Sequence, residues 1–124
     1  PFVKPEGKVC GTDAILYEAN VRDMTSSCLT GTKTNGKYVS LCEDHTQYDC
    51  FPTGLNYLAG LGVTHIQLMP VHDYCTVDEF HPEKNYNWGY DPMQYLSLEG
   101  SYSLNQLNTT LPLFQQIQMI HILV

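Results

Sequence analysis

Apolar residues along this chain gather in short runs, separated by two long polar stretches. In "DAILYEANVRD", residues 13–23, Ile15, Tyr17, Ala19 and Val21 recur at period two, the repeat of a strand with one covered face. In "FPTGLNYLAGLG", residues 51–62, Leu55, Leu58 and Leu61 fall at i, i+3 and i+6 with Tyr57 adjoining, which predicts a helix. Thr53 stands where an N-cap belongs and Gly62 where a C′ glycine belongs. "VTHIQLMPV", residues 63–71, is almost continuously apolar and is closed by Pro70. Such a run reads as a strand buried on both faces, as in a parallel sheet covered by helices. Strand, helix and strand in this order form a βαβ unit, whose crossover is expected to be right-handed.

The polar stretches are residues 24–50, with a turn signal at Asn35-Gly36, and residues 72–108. Both are expected to be long loops with little regular structure. A loop as long as the second is usually functional inside a compact domain. It also leaves the carboxyl end of the preceding strand, where α/β folds bind their ligands. "TTLPLFQQIQMIH", residues 109–121, predicts a second helix with Leu113, Ile117 and Ile120 on one side. Thr109 or Thr110 would cap it, with Pro112 in its first turn. The final "ILV" reads as the opening of a third strand, and residues 1–12 as an extended lead-in. The pattern is thus α/β within one domain over residues 1–124, and it stops in mid-unit. The expectation is a fragment of something longer; the absence of an initiator Met fits either a processed chain or such a piece.

Composition narrows the partners. Acidic residues outnumber basic ones thirteen to six, for a formal net charge of −7. That balance repels phosphate backbones and anionic membranes, so neither nucleic acid nor a membrane surface is expected as a partner. No apolar run approaches the roughly 20 residues of a membrane span. The five cysteines, Cys10, Cys28, Cys42, Cys50 and Cys75, are too sparse for a disulfide scaffold. They read as mostly free, structural thiols and assign no compartment.

Candidate chemistry concentrates in "YNWGYDP", residues 86–92. Tyr86, Trp88 and Tyr90 alternate with Asn87, Gly89 and Asp91, and Trp88 is the only tryptophan in the chain. Flat aromatic faces pair with the C–H face of a pyranose by dispersion and apolar burial. Asparagine and aspartate supply the polar contacts a sugar needs. Core or loop packing explains the same rings without a ligand.

Taken together, "DAILYEANVRD", "TGLNYLAGLGVTHIQLMPVHDYCTVDE" and "YNWGYDPMQYLSLEGSYS" resemble, in order and spacing, the start of the catalytic barrel of type I pullulanases. These are α-1,6-glucan debranching enzymes of the α-amylase superfamily. The resemblance runs from about Asp13 to Ser103 and weakly onward. It implies a partial (β/α)8 barrel: the first two to three βα units, with long βα loops. It also implies an α-glucan partner, whether pullulan, limit dextrin, or glycogen or starch branches, and no cofactor or metal.

By this resemblance Tyr90 stacks against the sugar at the cleavage subsite, Trp88 and Asp91 shape the glucan groove, and Asn87 and Tyr86 fix the loop. Tyr17 would lie at the inner end of the first strand. The first strand departs from the family in carrying Asn20 where a histidine is often found. The family's DxxxNH segment and its catalytic aspartate, glutamate and second aspartate are expected after "ILV", so no catalytic residue is assigned here.

A retaining glycosidase needs two carboxyl groups about 5 Å apart. Asp73, Asp78, Glu79, Glu83, Asp91 and Glu99 all lie in the second polar stretch and read mostly as solvated charges. Two other readings stay open. One is a stand-alone, non-catalytic protein derived from a truncated barrel, binding glycan or a partner through the aromatic loop. The other is a small metal module built on Cys42, His45 and Cys50 or on His72, Cys75 and His81, whose irregular spacing argues for loop histidines and buried thiols instead.

Overall fold

The computed structural model describes residues 10–104. The expected helix over residues 109–121, the third strand at "ILV" and most of the lead-in lie outside them. Strand β1, Leu16–Ala19, pairs in parallel with β4, His65–Leu68, in the register Leu16↔His65 to Ala19↔Leu68. Between them come a short antiparallel pair, β2 (Gln47–Tyr48) with β3 (Phe51–Pro52), and helix α1, Gly54–Gly60. A third pair follows, β5 (His72–Asp73) antiparallel to β6 (Gln94–Leu98), with a register shift at His72/Asp73. The described residues therefore hold three separate two-stranded sheets. The β1–α1–β4 unit matches the expected βαβ order; the successive strands of a barrel do not appear among these residues.

Helix α1 ends as its sequence predicts. The Gly62 N–H donates to the Ala59 carbonyl at 3.0 Å and the Val63 N–H to the Leu58 carbonyl at 3.3 Å. With Gly62 at φ 78°, this is a Schellman motif, which glycine adopts without a Cβ penalty. The start differs. Thr53 occupies the N-cap position, but its side chain makes no capping bond; its hydroxyl donates instead to the Thr30 carbonyl. Of the apolar stripe only Leu58 is buried, because α1 leans on β3 and on a 3-10 turn at Tyr38–Cys42.

Both predicted strands are shorter and more open than their patterns suggest. Ile15 and Leu16 are exposed, while Ala19 and Val21 are buried. β4 alternates exposed and half-buried positions. Among the described residues nothing packs over these faces as a helix layer would.

The core sits instead at the carboxyl ends of β1 and β4, under the two polar stretches. Val21, Tyr38, Leu41 and Tyr102 form it, with Met24, Leu68, Val71 and Leu98 packed around them. Tyr38 and Tyr102 meet edge to face at 5.5 Å, and Tyr74 and Tyr102 at 6.4 Å. The Lys37 ammonium donates to the Ser101 carbonyl at 2.7 Å, tying the two stretches together. These stretches were expected to be largely unstructured. They carry β2, β5, β6, the Tyr38–Cys42 turn and a second 3-10 turn at Gly100–Tyr102. Their polar residues are spent on internal bonds: Glu43 accepts from the Lys33 and Thr34 N–H groups and from the Thr34 hydroxyl.

The cysteines correct another expectation. All five are free, but Cys10, Cys28, Cys50 and Cys75 are exposed. Only Cys42 is half-buried, and burial pushes its thiol up to about 11.

Candidate functional site

The loop of residues 86–92 lies across the carboxyl end of β4. Gly89 makes that approach possible. Its φ is 90°, and a Cβ there would stand 2.6 Å from the Pro70 carbonyl oxygen. Only a residue without a side chain fits both constraints. Asn87 braces the turn from inside. Its side-chain oxygen accepts the Gly89 N–H at 2.7 Å, and its amide donates to Asp91 Oδ1 at 2.7 Å and to the Thr76 hydroxyl.

Residues just after β1 hold the front of the loop. The Tyr86 hydroxyl donates to Asp23 Oδ2 at 2.5 Å. The Arg22 guanidinium stands 5.6 Å over the Tyr86 ring and donates to the Asn85 carbonyl at 2.9 Å. Asn20 caps this turn by accepting the Arg22 and Asp23 N–H groups on its side-chain oxygen. Trp88 meets Tyr86 edge to face at 6.3 Å and 86°. At the far end the Tyr90 hydroxyl donates to Glu18 Oε1, on β1, at 3.1 Å. Desolvation, with the Asp23 carboxylate beside it, pushes the Tyr86 phenol up to about 12. Desolvation and the Glu18 carboxylate also raise Tyr90. Both phenols are thus neutral O–H donors at ordinary pH.

Tyr86, Asn87, Trp88, Tyr90 and Asp91 together line one open cleft of about 430 Å³. These are the five residues singled out in the sequence. Trp88 and Tyr90 are each 61% exposed, so neither ring is used up in core packing. Sequence reasoning did not find the supports: Glu18, Asp23, Arg22 and Thr76. The pairing partners stand far off in the chain, and no local pattern marks them.

The acidic candidates divide. Glu99 is fully buried rather than solvated, and accepts the Ser101 N–H at 2.9 Å and the Tyr74 N–H at 3.2 Å. Burial raises its carboxyl above the ordinary range, and Glu79 nearby adds to the rise. Asp78 and Asp91 remain exposed. Among the described residues no group of three or more His, Cys, Asp or Glu converges as a metal site requires. No described helix is long and apolar enough to cross a membrane.

No protein-family profile matches the chain. Individual proteins do. The chain is 42% identical over 106 residues to the pullulanase of Bacillus subtilis strain 168, a match covering 85% of this chain and 14% of that protein. The crystal structure of the pullulanase from Paenibacillus barengoltzii, in complex with maltohexaose and alpha-cyclodextrin, superposes with a TM-score of 0.86 at 41% identity. That superposition covers 98% of this chain and 20% of the other. The type I pullulanase of Bacillus subtilis strain 168, complexed with maltose, gives a TM-score of 0.85 at 36% identity, over 99% of this chain and 18% of that one. The chain therefore spans a small part of the length of each relative.

Proposed function

We propose that this chain, a homologue of the type I pullulanases and so of the debranching glycoside hydrolases of the α-amylase superfamily, supplies part of the glucan-binding groove of an enzyme that cleaves α-1,6 bonds in branched α-glucans. In this reading the chain belongs to the opening part of a (β/α)8 barrel, about its first two to three βα units, a fold that takes roughly 250 residues in all. The carboxylates of the retaining reaction lie elsewhere in the complete protein, and these 124 residues alone do not hydrolyse glucan.

The observation that carries the proposal is the open cleft lined by Tyr86, Asn87, Trp88, Tyr90 and Asp91, with both large rings exposed. Exposed aromatic faces beside fixed amide and carboxylate groups suit a neutral sugar. The rings cover the C–H face, Asp91 offers a carboxylate acceptor at its rim, and Asn87 braces the turn that carries them. The net charge of −7 does not oppose an uncharged ligand. Several of the pullulanase structures that superpose on the chain are complexes with maltose or longer maltooligosaccharides, which supports an α-glucan over other glycans.

The test uses the complete polypeptide that the native gene encodes. It is expected to release reducing ends from pullulan and to bind maltotriose, and both are expected to fall sharply in Trp88→Ala and Tyr90→Ala. A polypeptide that binds maltotriose equally well with and without these two rings refutes the reading.

A further inference from the structure

We propose that Glu18 is a positioning residue that holds the ring of Tyr90 in its sugar-stacking orientation, an inference that rests on the glucan-binding reading above. The loop is held unevenly. Its backbone is pinned at Gly89 against Pro70, its turn is braced by Asn87 on Asp91 and Thr76, and Tyr86 is tied to Asp23 and Arg22. Tyr90 lies between the anchored Gly89 and Asp91, but none of these contacts involves its own side chain. Its ring is 61% exposed, so packing does not fix its rotamer. Among the described residues its hydroxyl has one hydrogen-bond partner, Glu18 Oε1 at 3.1 Å.

Glu18 is well placed to serve as a fixed point. It lies on β1, opposite Gln67 of β4 in the parallel ladder, and is followed by buried Ala19 and Asn20. The contact thus joins a mobile side chain type to paired backbone across 72 residues of sequence. A ring that must be immobilised on binding costs affinity, and a ring already held does not. Holding it by the hydroxyl leaves both of its faces free for a pyranose. A carboxylate acceptor also gives a stronger bond than a neutral one.

Maltotriose binding by the complete polypeptide, measured calorimetrically, tests this with six variants. Glu18→Ala and Tyr90→Phe are each expected to weaken binding about threefold to tenfold, the effect of freeing one rotamer-rich side chain. The double variant is expected to be no weaker than either single one, because both remove the same bond. Glu18→Gln, which keeps an acceptor oxygen, is expected to recover most of the affinity, a rescue that mere stabilisation of β1 does not predict.

Additive losses in the double variant, or wild-type binding by Glu18→Ala with binding lost in Tyr90→Ala, overturn the positioning role while leaving the stacking reading intact. Wild-type binding by Tyr90→Ala overturns the stacking reading itself. If Glu18→Ala does not fold, Tyr90→Phe decides: unchanged affinity there overturns the proposal, and a loss shared by Glu18→Gln/Tyr90→Phe without further weakening supports it.

Discussion

The backbone of Gly89 rests against the carbonyl of Pro70 with no room between them: a Cβ on Gly89 would stand 2.6 Å from that oxygen and 3.1 Å from the Pro70 ring. This contact seats the whole aromatic loop at the end of β4. Gly89→Ala therefore meets two obstacles, a positive φ of 90° and a collision with backbone that cannot step aside. Each costs roughly 1–2 kcal/mol or more, so a loss of about 2–4 kcal/mol is expected on urea denaturation. Maltotriose affinity should fall with it, since Trp88 and Tyr90 flank the displaced residue.

Gly62 is the control for that argument. It too has a positive φ, 78°, but nothing lies within 4 Å of where its Cβ would be. Gly62→Ala thus bears only the backbone term, about 1–2 kcal/mol. Urea denaturation of the two variants should show Gly89→Ala losing clearly more stability than Gly62→Ala, and sugar affinity should be untouched in the latter. Equal losses would mean that the Pro70 contact relaxes freely.

The contrast between these glycines also shows what was readable in advance. The end of α1 was legible because a Schellman motif involves only neighbours along the chain: Leu58, Ala59, Gly62 and Val63. The cleft was legible for the same reason, since its five lining residues fall within six positions. What escaped was non-local. Tyr90 with Glu18, Tyr86 with Asp23 and Arg22 with Asn85 are 72, 63 and 63 residues apart. The core escaped too, because Tyr38 and Tyr102 sit in polar stretches with no apolar period, and only tertiary packing buries them. The pair β5–β6 has a two-residue strand and a register shift, too short a repeat to reveal a period of two.

Glu99 gives a prediction in pH. Its carboxyl lies above the ordinary value because burial outweighs the N–H groups of Ser101 and Tyr74, which favour the charged form. The folded chain therefore holds a proton that the unfolded chain releases between the ordinary carboxyl value and the raised one. Its stabilising contribution is complete below the ordinary value and is lost as pH rises through the raised one. One such group adds a slope of at most about 1.4 kcal/mol per pH unit. Urea denaturation across a pH series should show this fall in the parent and a flatter profile in Glu99→Gln. An unchanged profile would mean that Glu99 titrates alike in both states.

Trp88 offers a direct reading of the cleft, because it is the only tryptophan in the 124 residues and its indole is 61% exposed. An indole in water emits at long wavelength, and covering it with a sugar shifts the emission to the blue. Titration of this chain with maltotriose is expected to give such a shift, saturating at the affinity found by calorimetry. Tyr90→Ala should reduce that affinity about tenfold, the effect of losing roughly 1–2 kcal/mol of apolar contact with the ring. Stability should change little, because the ring contributes almost nothing to the core. If instead Tyr90→Ala unfolds the chain, Tyr90 is holding β1 to the loop through Glu18 as a structural tie. A chain that stays folded with unmoved emission at saturating maltotriose would show that these residues do not bind the sugar on their own, and that the groove needs walls from the rest of the protein.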